Sequence, residues 1–137
     1  MSELKKLNEG KKYSHGTVGN IAGFTGKVFV KDELKETSCE ISFSSLAPGE
    51  AVPFFHSHKA NEENYIILSG KGSFQVNEDV FAVAEGSVVR VATSCDRNIK
   101  NTAESGNLVY ICIQAKENSL DGYTMTDAEI TQRENLL

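Results

Sequence analysis

His56-Ser57-His58, with Glu63 five residues beyond, is the stretch of this chain whose residue types and spacing could do chemistry. Side chains of an extended segment alternate, so His56 and His58 face the same way. Glu63 enters a second, apolar run and can return to the same spot. Two imidazoles and one carboxylate are a common ligand set for Zn, Mn, Ni or Fe(II). A single strand histidine is usually structural, but two at i and i+2 with a well-spaced glutamate are much less often accidental. The expectation is a divalent metal held by His56, His58 and Glu63 inside a β-structure.

The runs that must position these residues are short and strand-like. Lys27-Val28-Phe29-Val30 follows Gly26, and Ile41 and Phe43 alternate with polar residues across Cys39–Ser44. Pro48-Gly49 reads as a turn. Tyr65-Ile66-Ile67-Leu68 is apolar on both faces and is bounded by Ser69-Gly70. Gly72–Val76 and Val80–Val83 flank Asn77-Glu78-Asp79 as a hairpin. Ser87–Val91 and Leu108–Ile113 complete the set. Many short strands at close spacing, rich in β-branched and aromatic residues, predict an all-β sandwich or barrel. The polar first residues give an arm, mobile or loosely docked, over 1–22, followed by the β-domain over 23–115. The tail, 116–137, carries Thr126-Asp127-Ala128-Glu129 in capping-box form. It is expected either as a short helix from Thr126 to about Leu136 or as a disordered tail.

Composition narrows the function classes. A length of 137 residues suits one domain. The net charge of −5, with no basic cluster beyond two adjacent lysines, argues against a nucleic-acid surface. No run approaches the roughly 18 to 20 apolar residues of a membrane span. No phosphate loop GxxxxGK[ST] and no GxGxxG follows a strand. Cys39, Cys95 and Cys112 are widely spaced and form no CxxC pair, and the N-terminal Met1–Lys6 stretch has no apolar run behind it, so no secretory leader is expected. Reduced thiols and a cytoplasmic location are the expectation.

With these residues in place, the chain resembles the cupin superfamily. Its first motif is Gly, about five residues, HxH, three or four residues, Glu, six residues, Gly. Here Gly49, His56, His58, Glu63 and Gly70 occupy those positions, with one extra residue before His56. In the second motif Gly86 and Asn101 match, whereas Ala92, Ser94 and Arg97 stand where the family has Pro, Gly and His. The resemblance spans Gly23 to Ala115. It implies a jelly-roll barrel (a double-stranded β-helix) with a site in its interior. It also implies a homodimer paired through an edge strand. In function it implies a small metal-binding cupin acting on a small polar or anionic molecule, as isomerase, lyase or dioxygenase. A second reading is a non-catalytic small-molecule-binding or sensing cupin that uses Arg97 for an anionic ligand.

Arg97 replaces the usual fourth ligand, and three roles are open to it. It can pair with Glu63 in place of a metal. It can grip a substrate carboxylate or phosphate bidentately. It can also face solvent. Asn101 shares its parity and is expected to support the adjoining loop. Gln75, Tyr65, Tyr110 and Gln114 are candidates to line the barrel and bind substrate, and core packing is the alternative for most of them. Phe54-Phe55 are expected to pack the barrel mouth or to form an aromatic wall. Cys95 reads as an ordinary loop cysteine and His15 as a surface histidine.

Overall fold

The alternating runs become ten strands in the computed structural model, which describes residues 1–137. They are β1 (Lys5–Glu9), β2 (Ser14–Thr17), β3 (Lys27–Phe29), β4 (Glu40–Leu46), β5 (Asn61–Ser69), β6 (Lys71–Val76), β7 (Asp79–Ala84), β8 (Val88–Val91), β9 (Arg97–Asn101) and β10 (Leu108–Lys116). A single helical turn, α1 (Lys31–Leu34), joins β3 to β4. A five-stranded sheet has the order β3-β4-β10-β5-β8, and a three-stranded sheet has the order β7-β6-β9. All pairings are antiparallel. The all-β jelly-roll expectation holds. Strand β10, the last in sequence, lies at the centre of the larger sheet between β4 and β5.

Period two decides what each strand buries. The inward side chains of both sheets, among them Ile67, Phe74, Val83, Val91 and Leu108, form one apolar core. Register aligns the inward positions of the larger sheet in rows. Leu46 pairs with Leu108, Ser44 with Tyr110, Ser42 with Cys112 and Glu40 with Gln114. On the other side of β10, Ile67 pairs with Tyr110, Tyr65 with Cys112 and Glu63 with Gln114. Two glycines permit the link from β5 to β6. Gly70 has a φ of +87°, and a Cβ there would stand 2.7 Å from the Asn107 carbonyl oxygen. A Cβ on Gly72 would overlap the Lys100 carbonyl.

The structure specifies three segments that the sequence left open. The N-terminal arm, expected to be mobile or loosely docked, carries a hairpin of β1 and β2. Leu4, Val18 and Ile21 pack over Phe24, Val28 and Val109 on the outer face of the larger sheet. Residues 97–101, not read as a strand in their own right, pair along β6 through Phe74 and Ile99. Of the two alternatives for the tail, the short helix from Thr126 does not form. The Thr126 hydroxyl bonds Thr124 instead of capping a helix. Ile130 and Leu136 remain fully exposed, with no surface to pack on. A short isolated helix is marginal without such packing. No helix is long and apolar enough to cross a membrane. All three cysteines are free.

Candidate metal centre

Glu63 is the hub of the site. It projects inward from β5, two residues from Tyr65, and is only 5% exposed. Residues 56–58 do not form a regular strand, but they run extended beside the turn into β9. The Arg97 amide donates to the His56 carbonyl at 3.1 Å, and the Ser94 amide to the His58 carbonyl at 2.8 Å. These two bonds keep the alternation, so both imidazoles reach Glu63. Ser94 adopts a φ of +60°. That left-handed conformation explains why the motif has Gly there.

His56 Nε2 lies 3.6 Å from Glu63 Oε1, and His58 Nε2 lies 3.3 Å from Oε2. The three ligand atoms all fall within 4.8 Å of one another. Two donors bound to one ion at about 2.1 Å stand roughly 3 to 4 Å apart, so the spacing fits a shared divalent cation. The two imidazole rings meet edge to face, with centroids 5.1 Å apart. Nδ1 of His56 is buried without a hydrogen-bond partner, so no protein group fixes its tautomer.

Electrostatics keep the carboxylate charged. Burial alone would push Glu63 up. Hydrogen bonds from Tyr65 Oη to Oε1 at 2.7 Å and from Cys112 Sγ to Oε2 at 3.1 Å override it, with help from His58 and Arg97. Glu63 therefore sits below the usual carboxylate range. Both donors are pushed well above their ordinary values, chiefly by burial and with Glu63's charge adding to it, so they stay protonated. Burial likewise lowers His56 and favours the neutral imidazole a metal needs.

Arg97 is 1% exposed, so it does not face solvent. Its Nε lies 3.7 Å from Glu63 Oε1 and has no hydrogen-bond partner. Its Nη1 and Nη2 reach the carbonyls of His56 and Ala92, each at 3.4 Å. The guanidinium is thus built into the wall. Asn101 is fully buried and ties loops together, donating to the Leu46 and Gly106 carbonyls at 2.9 Å each.

The cluster opens on a cavity of about 270 Å³. Tyr65, Tyr110 and Gln114 line it. Burial pushes Tyr110 up to about 12. Gln75 does not line it: it shares the parity of Ser73, opposite Phe74, and its amide donates to the Asn77 carbonyl at 2.7 Å. It borders a separate hollow with Phe55 on the far side of the smaller sheet. Phe54 lines the main cavity as the aromatic wall. Sequence reasoning missed Lys27, Phe29 and Asn98, which also line it. Lys27 and Phe29 share an inward parity on β3, a signal present in the sequence but indistinguishable there from an ordinary edge strand.

The comparisons agree with this architecture. A family profile described as "Cupin domain" matches residues 42–114. A cupin protein from Bacteroides fragilis is 38% identical, with a TM-score of 0.79 over 89% of this chain and 99% of that one. A protein from Acidithiobacillus ferrooxidans, provisionally named a sugar phosphate isomerase, is 25% identical, with a TM-score of 0.58 over 66% of this chain and 59% of that one. A Thermotoga maritima protein named a predicted oxalate decarboxylase is 18% identical, with a TM-score of 0.59 over 84% of this chain and 93% of that one. No curated protein matches the chain. With its inward His-His-Glu cluster and a profile match over more than half its length, the chain belongs to the cupin family.

Proposed function

We propose that this protein is a small metal-dependent cupin in which His56, His58 and Glu63 hold one divalent ion facing a cavity for a small polar or anionic molecule. The observation that carries this reading is the convergence of three ligand atoms within 4.8 Å on the cavity wall. Three protein ligands leave coordination positions open, as catalytic sites require. Such an ion, when bound, supplies a Lewis acid beside the cavity and, as Fe(II), a redox centre. Tyr65 and Cys112 fix the carboxylate, and because both stay protonated they orient it without taking protons from a ligand. Arg97 adds a permanent charge behind Glu63. An ion of charge +2, one carboxylate and one guanidinium leave a net positive site, which favours an anionic ligand.

The likeness to the provisionally named sugar phosphate isomerase is compatible with such a ligand, as its name carries a phosphate. The reaction is of the isomerase, lyase or dioxygenase type. The same reading carries a homodimer, expected to sediment at twice the mass of one chain. Elemental analysis of protein purified without chelating resin tests the centre. Close to one Fe, Mn, Ni or Zn per chain is expected, and its loss in His56→Ala.

One observation favours a second reading. The approach of Arg97 to Glu63 at 3.7 Å could substitute for a cation altogether. In that case the wild type binds no metal, and Arg97→His creates a site that does.

A further inference from the structure

Several polar groups of the cavity wall are spent on the protein itself. Asn98 donates its amide to the Val52 and Phe54 carbonyls at 2.8 and 3.2 Å and accepts from the Ile99 amide at 2.7 Å. The Gln114 oxygen accepts from Asn61 at 2.6 Å. Glu40 accepts from the Lys31 amide at 3.0 Å. The Nη groups of Arg97 are on backbone carbonyls, and Tyr65 is on Glu63. A sugar needs a donor or acceptor for each hydroxyl it buries, since an unpaired buried hydroxyl is costly. The Ser42 and Tyr110 hydroxyls and the Gln114 amide nitrogen stay free for that purpose, a small set beside the apolar lining.

Most of the remaining lining is apolar, and it carries one lysine. Phe29, Val52, Phe54, Phe74 and Ile99 line the cavity. Phe54 and Phe29 are 61% and 58% exposed, large rings open to solvent beside the cavity. Lys27 is a lining cation with no carboxylate or carbonyl partner, and its Nζ stands 5.0 Å over the Phe29 ring. A cavity of about 150 Å³ admits benzene. At about 270 Å³ this one has room for a ring-sized body and an acid group.

We infer that the ligand is a small carboxylic acid with an apolar or aromatic body, in preference to a sugar phosphate or a bare dicarboxylate. Its acid group lies toward the His56-His58-Glu63 cluster, its body lies against Phe54 and Phe29, and Lys27 draws it in by charge. This deepens the metal reading and rests on it for the placement of the acid group.

Calorimetric titration with benzoylformate, oxalate and glucose 6-phosphate tests the inference, on protein as purified and after chelator treatment, with metal content measured on each sample. Benzoylformate is expected to bind at least about tenfold more tightly than the other two, a gap of roughly 1.4 kcal/mol. Phe54→Ala, a change at an exposed ring, should remove most of that preference and leave oxalate affinity unchanged. Lys27→Met should weaken both acids by a similar factor. Tighter binding of oxalate or glucose 6-phosphate, no binding of any of the three, or a Phe54→Ala variant that keeps the preference overturns the inference. A metal-loaded protein lacking the preference sinks the inference and spares the metal reading. A metal-free protein that keeps the preference sinks the metal reading and the placement of the acid group with it, and spares the ligand class.

Discussion

The two ends of the larger sheet's inner face are built from the same three strands and do opposite things. At one end the inward row is Leu46 and Leu108, with Ile67 one row in. At the other it is Glu40, Gln114 and Glu63. Between them lie Ser44 with Tyr110, then Ser42 with Cys112 and Tyr65. Polarity rises row by row along strands that stay paired from end to end, with one register shift at Val109/Tyr110 in the β5–β10 ladder. Parity therefore decides only which side chains point inward. Position along the barrel decides whether an inward side chain is core or site. The apolar end can bury its groups without partners, whereas every charge at the polar end needs a donor or counter-charge.

The sharpest break in this comparison is at the apolar end. Leu108 is fully buried. Leu108→Ala should cost about 2 to 5 kcal/mol of stability, read by urea denaturation. Metal bound per folded chain should not change. If the metal were lost as well, the two ends would not be separable. A smaller effect is expected at the polar end. Glu63→Gln should abolish metal binding and cost about 1 to 3 kcal/mol, because it leaves Arg97 as a buried cation without its counter-charge. The double variant with Arg97→Met should regain part of that loss, and a strictly additive double-mutant cycle would argue against the pairing. The smallest effect sharpens the contrast between the sheet's faces. Gln75→Ala, outside the cavity, should shift stability by no more than about 0.5 kcal/mol and leave ligand affinity as in the wild type.

Much of this was legible in the residues. Alternation at Ile41 and Phe43, and the apolar runs at 65–68 and 108–113, predicted strands that the structure contains. The spacing of His56, His58 and Glu63 predicted a cluster, and the three do converge. Strand β9 was harder to read because Arg97-Asn98-Ile99-Lys100-Asn101 has a single apolar residue, and only the ladder to β6 reveals its place. The orientation of Gln75 depended on register, since one step of parity separates the cavity from the outside. The commitments of Arg97 were hidden because its partners are backbone carbonyls distant in sequence, which no residue type announces. The capping box at Thr126 was a local signal without a tertiary surface to complete it.

The central place of β10 carries a consequence for how the chain acquires its structure. Strands β4 and β5 do not pair with each other; each pairs with β10, which is made after all the other strands. During synthesis, the β1–β2 and β6–β7 hairpins can zip from local contacts as they emerge. The larger sheet must wait with two unpaired edges and the carboxylate of Glu63 lacking its Cys112 and Gln114 neighbours. Closing it requires contacts such as Ser44 with Tyr110, far apart along the chain, which is the kind of topology that folds slowly. The nascent protein therefore passes through a stage in which the exposed sheet edges invite pairing with other chains, and the arrival of one strand ends it.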